Sequence, residues 1–351
     1  MALFKEHLYQ MAAYAPPLEG RSVEKHLLLD FNERTLPVSD EVVEALCDFI
    51  RSGQLQKYPS YGDIVSELAV YVGVSPEQLM ITNGSDQGID LVVRAAVSKG
   101  DRAIIPAPSF AMYRQCAEVE DAEILSPEYD RETGYPTGEV LAEISVDTRL
   151  IVVAQPNNPC GTIVSRDDLQ MILRAAPDAV VLVDECYYEY SQQTVVDLVD
   201  KYPNLVVART FSKTWGLPSL RFGFLVSQAN NIEQLLKIRG PYDINQLSIV
   251  AVRAALAAPD YTKDYVRELM EESKPLLESW LDERKITYWP STANYIWAFF
   301  KQPDQLAAYL QEQGILVRPK MDPEGKLGLR VTLGNLEQTR RVIESIEAFY
   351  R

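Results

Sequence analysis

The stretch Leu205-Val206-Val207-Ala208-Arg209-Thr210-Phe211-Ser212-Lys213 decides how the rest of the chain is read. Leu205 to Ala208 is a short apolar run with no polar alternation, as in a strand buried on both faces. It ends in hydroxyls, an aromatic ring and one lysine. The same grammar recurs upstream. Leu79 to Thr82 runs into Asn83-Gly84-Ser85-Asp86, and Ala103 to Ile105 into Pro106-Ala107-Pro108-Ser109. Leu150 to Ala154 runs into Gln155-Pro156-Asn157-Asn158-Pro159, and Val180 to Val183 into Asp184-Glu185. Helical patterns separate several of these runs, for example Asp86 to Ala96 and Ser165 to Ala175. Strands alternating with helices predict an α/β fold with a mostly parallel sheet sandwiched by helices. In such sheets ligands bind beyond the carboxyl ends of the strands. Polar residues there are expected of any loop. The particular choice of Gly-Ser, Asn-Asn-Pro, Asp and Ser-Lys is not.

After Gly240-Pro241 the texture changes. Two helical segments, about Ile244 to Ala257 and Tyr261 to Glu283, precede shorter strands at Asn294 to Phe300, Ile315 to Val317 and Gly328 to Leu333. A helix over Asp304 to Gln313 lies between them, and Asn335 is a good N-cap for a last one. The pattern predicts an N-terminal arm over residues 1–29, a large domain over 30–240 and a smaller α+β domain over 241–351. The arm is expected to pack with the small domain.

At 351 residues, 47% of them hydrophobic, the chain can bury a large core, and its length suits two domains. A net charge of −16 argues against sequence-independent binding to nucleic acid or an anionic membrane. The two histidines, His7 and His26, both lie near the N-terminus, which disfavours a Ser-His-Asp triad or a His-rich metal site. Cys47, Cys116, Cys160 and Cys186 form no C-x-x-C pair and are expected to be reduced, mostly buried thiols; no metal is expected. Met1 to Gln10 lacks the apolar region of a secretory signal. No apolar run approaches the ~20 residues of a membrane span. The nearest, Ile249 to Ala258, is interrupted by Arg253. A cytoplasmic location is expected.

Lys213 just beyond a buried strand differs from a surface lysine. Desolvation lowers the pKa of such an amine from ~10.4 towards neutrality, and a neutral amine forms a Schiff base with an aldehyde. Asp184 closes the run Val-Val-Leu-Val. It either caps the segment that follows or partners a buried cationic ring nitrogen such as that of pyridoxal phosphate. Asn83-Gly84-Ser85-Asp86 opens a helix after a strand, which is a plain N-cap or a phosphate site. Arg221, just before the apolar stretch Phe222 to Val226, adds a bidentate phosphate donor. A Schiff-base lysine, a ring-nitrogen carboxylate and a phosphate cradle describe one cofactor. No G-x-G-x-x-G is present, so a dinucleotide fold lacks its main signature.

These residues resemble the fold-type I pyridoxal-phosphate aminotransferases of class I/II, and among them the histidinol-phosphate aminotransferases. The resemblance runs from about Tyr14 to the last helix. It rests on Tyr58-Pro59, Asn83-Gly84-Ser85-Asp86, Pro108-Ser109-Phe110, Asn157-Asn158-Pro159-Cys160-Gly161, Asp184-Glu185-Cys186-Tyr187, Ser212-Lys213 with Arg221, and Leu329-Arg330-Val331-Thr332. It implies pyridoxal 5′-phosphate as cofactor and Lys213 as both its Schiff-base partner and the base that moves the proton. Asp184 would hold the ring nitrogen protonated, and Asn158 and Tyr187 would bond the phenolic oxygen. Phe110 would stack on the ring. Ser85, Asp86, Thr210, Ser212 and Arg221 would hold the phosphate, with Tyr58 reaching the neighbouring subunit's site in a homodimer. Arg330 would bind the substrate's anionic group, Arg318 would be a second cation, and Tyr14 and Asn32 would line the substrate side. Cys160 and Cys186 stand where Thr and Ala are usual, at positions without chemistry, and Pro218 keeps the spacing from Lys213 to Arg221. Asp30-Phe31-Asn32-Glu33-Arg34 matches the family's Asn-Glu-Asn-Pro only in part.

The implied activity is amino transfer from a small-molecule donor to a 2-oxo acid, with histidinol phosphate as donor and 2-oxoglutarate as acceptor, in histidine biosynthesis. Alternatives are an aromatic amino-acid aminotransferase, a threonine-phosphate decarboxylase, and a non-catalytic binding protein that keeps the fold.

Overall fold

The short β-branched runs form the middle of a seven-stranded sheet in the computed structural model, which describes residues 3–351. Its strands are β1 (Leu79–Asn83), β2 (Arg102–Ile104), β3 (Glu123–Leu125), β4 (Thr148–Ala154), β5 (Val180–Asp184), β6 (Leu205–Thr210) and β7 (Phe222–Val226). They lie in the order β1-β7-β6-β5-β4-β2-β3. Every neighbouring pair from β6 to β3 is parallel, and β7 runs antiparallel to both β6 and β1. The expected mostly parallel sheet is thus present, with one reversed strand. β3 was not among the expected strands; three residues at a sheet edge carry too little pattern to be read.

The absence of alternation in the runs has a direct cause. Ile151, Val153, Val181, Val183 and Val207 point into one apolar cluster, and Leu150, Val152, Leu182 and Val206 into the other. Side chains alternate between faces, and here both faces are covered. Helix α1 (Gly84–Ala96) and helix α2 (Ala111–Val119) cover one face, while Ile64–Val72, Arg166–Ala175 and helix α3 (Gln246–Ala257) cover the other.

A second, antiparallel sheet contains β8 (Thr287–Trp289), β9 (Tyr295–Phe299), β10 (Arg318–Met321) and β11 (Leu327–Thr332), in the order β10-β11-β9-β8. Ile296, Ala298, Leu329 and Val331 pack under the C-terminal helices. Trp289, Trp297 and Phe299, on the other face, join the core of the large sheet. The last helix, Leu336–Phe349, starts at Asn335, whose side chain accepts from the Gln338 amide at 2.9 Å. The segment expected as one helix over Tyr261 to Glu283 starts at Asp260 and carries a π turn at Leu269–Ser273. Pro275 has no N–H to offer the carbonyl one turn back, and the wider turn accommodates it. The texture of the sequence changes at Gly240-Pro241, but the packing partner changes later. Ile249, Val252 and Ala255 still belong to the large-sheet core, and from Tyr265 onward the buried side chains belong mainly to the small-sheet cluster.

One close approach fixes the site. A Cβ on Gly223 in β7 would lie 2.7 Å from the backbone of Gly84 and Ser85, so the first turn of α1 rests directly on β7. A Cβ on Gly84, whose φ is +71°, would lie 2.5 Å from the Arg221 guanidinium. Gly223→Ala is expected to destabilise the protein by about 1–3 kcal/mol, because backbone on both sides must move to admit the methyl group. Thermal unfolding checks this, and an unchanged Tm would show that α1 and β7 are less tightly apposed.

Candidate active site

Three strand ends meet at one point. Lys213 follows β6, Asp184 ends β5, and Arg221 leads into β7 beside the first turn of α1. All three line a cavity of about 550 Å³.

Lys213 sits on a clamped loop. The Gly216 amide donates to the Lys213 carbonyl at 3.1 Å, and the Leu217 amide donates to the Phe211 carbonyl at 3.0 Å. Glu189 accepts from the Thr214 hydroxyl and the Trp215 indole, each at 3.0 Å. Among the described residues the Lys213 amine donates only to the Phe31 carbonyl, at 2.9 Å. Burial, and then the charge of Arg330, pulls its pKa down to about 8, so a neutral fraction exists near neutral pH.

Two adjacent carboxylates have opposite fates. Glu185 turns away from the cavity into a buried ion pair with Arg209 at 2.8 Å, and it also accepts from the Val195 amide and the Thr194 hydroxyl. Asp184 faces the cavity and has no cation within 4.0 Å among the described residues. It accepts from the Cys186 amide at 2.9 Å and from the Tyr113 hydroxyl. Burial pushes its pKa above the ordinary carboxylate value, and those donors oppose the rise. A buried carboxylate with donors but no counter-charge suits a cation brought by a ligand.

The same cavity contains an anion cradle. Arg221, held at φ +55° after the turn Pro218–Leu220, donates to Asp86 at 2.9 Å. Its guanidinium remains about half-exposed there. Ser85 and Asp86 lie in the first turn of α1, where backbone amides and the helix dipole favour negative charge. Thr210 and Ser212 complete the wall, with their hydroxyls 3.0 Å apart.

Phe110 and Tyr14 also line the cavity, their rings edge to face at 6.4 Å. Tyr187 and Asn158 line it too, and each is held from behind. Asn32 donates to the Tyr187 hydroxyl at 2.9 Å, and Arg330 donates to the Asn158 side chain. Asn32, expected on the cavity wall, is therefore buried one layer back, pinned to Thr332 and Asn294. Arg330 is buried likewise and also donates to the Asp30 carbonyl. Arg318 stands over the Phe31 ring at 5.3 Å. Tyr58 is exposed, stacked on Tyr242 at 4.5 Å, and does not line this chain's cavity. Sequence reasoning did not single out Tyr113, Phe31, Pro16, Leu18 or Met112, which all border the cavity.

A family model for aminotransferase class I and II matches residues 24–346. The chain belongs to this family of pyridoxal-phosphate-dependent transferases. It is similar to the histidinol-phosphate aminotransferase of Thermoanaerobacter sp. (strain X514), at 32% identity over 94% of each chain. It is 34% identical to that of Limosilactobacillus fermentum (strain NBRC 3956 / LMG 18251), over 95% of this chain and 96% of the relative. The structure of histidinol-phosphate aminotransferase from Sinorhizobium meliloti in complex with pyridoxal-5′-phosphate superposes with a TM-score of 0.86, covering 99% of each chain at 20% identity, and has the same fold.

The residues present fit that cofactor. The unpaired Asp184 suits its ring nitrogen, the cradle at Arg221 suits its phosphate, and the Lys213 amine suits its aldehyde. Tyr113→Phe removes a donor from a buried carboxylate. Hydrogen bonds to charged groups contribute about 1.5–3 kcal/mol, so the variant is expected to bind pyridoxal 5′-phosphate about tenfold or more weakly. Titration of the cofactor-free protein checks this, and an unchanged affinity would remove Tyr113 from the site.

Proposed function

We propose that this enzyme transfers the amino group of L-histidinol phosphate to 2-oxoglutarate. The observation that carries the reading is the convergence of a desolvated amine, an unpaired buried carboxylate and an anion cradle on one cavity. The donor is suggested by similarity to histidinol-phosphate aminotransferases over nearly the whole chain. It is also suggested by Arg330, a buried guanidinium with no carboxylate within 4.0 Å among the described residues.

When bound, pyridoxal phosphate supplies an electrophilic aldehyde carbon and an electron-withdrawing ring. Arg221, Thr210, Ser212 and the amides of Ser85 and Asp86 would hold its phosphate. Phe110 would lie against its ring, and Asn158 and Tyr187 would donate to its phenolic oxygen. Asp184 Oδ would keep a proton on the ring nitrogen, and Tyr113 orients that carboxylate. Lys213 Nζ, part neutral near pH 7, would take a proton from the substrate Cα and deliver it to the carbon that was the cofactor's aldehyde carbon. Arg330 and Arg318 would meet the anionic group of either substrate, with Tyr14 closing the outer side. The exposed Tyr58 would reach the neighbouring site of a homodimer. The donor reading places the enzyme in histidine biosynthesis in the cytoplasm; no helix among the described residues is long and apolar enough to cross a membrane.

Mixing the cofactor-loaded protein with L-histidinol phosphate alone tests the donor. The absorption band of the lysine-bound cofactor is expected to disappear within one turnover and to return when 2-oxoglutarate is added. A band that stays unchanged rejects this donor.

A further inference from the structure

The small sheet gathers three cations on one face. Arg318 in β10 pairs in register with Arg330 in β11, and Arg330 pairs with Trp297 in β9. Residues directly opposite share a face, so both arginines and the indole lie on the side that packs towards the large sheet. Lys320 is two residues beyond Arg318 and so shares that face. Its register partner is Gly328, which has no side chain to cover it.

None of Arg318, Lys320 and Arg330 has an acidic oxygen within 4.0 Å among the described residues. The nearby Asp30 carboxylate is taken by Arg21 at 3.0 Å. Two buried donors on the same face have no acceptor either, Arg330 Nε and Trp297 Nε1. Trp297 Nε1 lies directly over Gly328, since a Cβ there would come within 2.6 Å of it. The face reaches the cavity at two points, through Asn158 beside Arg330 and through Phe31 beneath Arg318. Burial, then the charges of Arg330 and Arg318, pull the Lys320 pKa down to about 8, as for an ammonium held among cations without an anion. Crowding three cations is costly unless something negative joins them.

We propose that Lys320 is a third cation of the substrate's anion subsite, selecting a dianionic phosphate monoester over a monoanionic carboxylate. This rests on the donor reading above. Two arginines suffice for one carboxylate, which is what either of the dicarboxylates 2-oxoglutarate and glutamate would place in this subsite. A phosphate monoester carries nearly two charges and three acceptor oxygens at pH 7. Lys320 therefore acts on the donor half of the reaction more than on the acceptor half.

The test uses cofactor-loaded wild type, Lys320→Met and Lys320→Arg, with inorganic phosphate as the probe. Phosphate inhibition of the L-glutamate half-reaction is measured first. In Lys320→Met the inhibition constant is expected to rise about tenfold, the size of one charge-assisted contact. The KM for glutamate is expected to move less than about twofold, and Lys320→Arg to restore the wild-type values. The KM for L-histidinol phosphate is then expected to rise in Lys320→Met with kcat little changed. Equal phosphate inhibition in wild type and Lys320→Met, or an equal rise in the KM for glutamate, overturns the proposal. If phosphate inhibition depends on Lys320 while L-histidinol phosphate is inert, the donor reading fails and the subsite stands. If L-histidinol phosphate reacts but its KM ignores Lys320, the subsite fails and the donor reading stands.

Discussion

The site depends on keeping an amine and a carboxylate dry at the ends of neighbouring strands without letting them find each other or another partner. Burying an ion costs several kcal/mol unless it is compensated. Lys213 answers that cost by shifting towards neutrality, and Asp184 by collecting donors. Each then keeps an unfilled valence directed at the same cavity. Were Asp184 to pair with Lys213, the amine would be held protonated and the ring-nitrogen partner lost together.

The rest of the fold prevents that collapse. Parallel strands β5 and β6 deliver Asp184 and the lysine loop at the same end of the sheet. Glu189 and the carbonyl contacts around Gly216 hold the loop from outside the cavity. Arg209, on the strand next to Asp184, is tied to Glu185, with Tyr188 packed over it at 3.7 Å. The apposition of α1 on β7 through Gly223 places Arg221 beside the first turn of α1 on the cavity wall. Cofactor, donor and acceptor then meet groups that are already positioned, so little ordering has to be supplied during binding.

The central strands, and the polar residues at their ends, were legible because doubly buried strands leave a plain mark and the chemistry sits immediately after it. Lys213, Asp184, Ser85 and Asp86 lie at or just after strand ends and Arg221 just before a strand begins, and all meet in one cavity. Tyr113 was not legible, since it lies within α2 and looks like an ordinary core aromatic until the helix is docked. Phe31, Pro16 and Leu18 reach the cavity from an N-terminal segment with little periodic pattern. Asn32 and Arg330 were identified, but their depth behind Tyr187 and Asn158 follows from long-range bonds to Thr332 and Asp30 that no local pattern encodes. The shared face of Arg318, Lys320 and Arg330 depends likewise on strand register, which is fixed only when β10 and β11 pair.

The most direct measurement is the pH dependence of covalent capture of pyridoxal 5′-phosphate by the cofactor-free protein. The neutral amine reacts and the ammonium does not, so capture rises with pH through the pKa of Lys213. The expected result is a midpoint near pH 8, and no covalent absorption band in Lys213→Ala. A midpoint near the ordinary lysine value of about 10.4, or a covalent band that survives in Lys213→Ala, would contradict it.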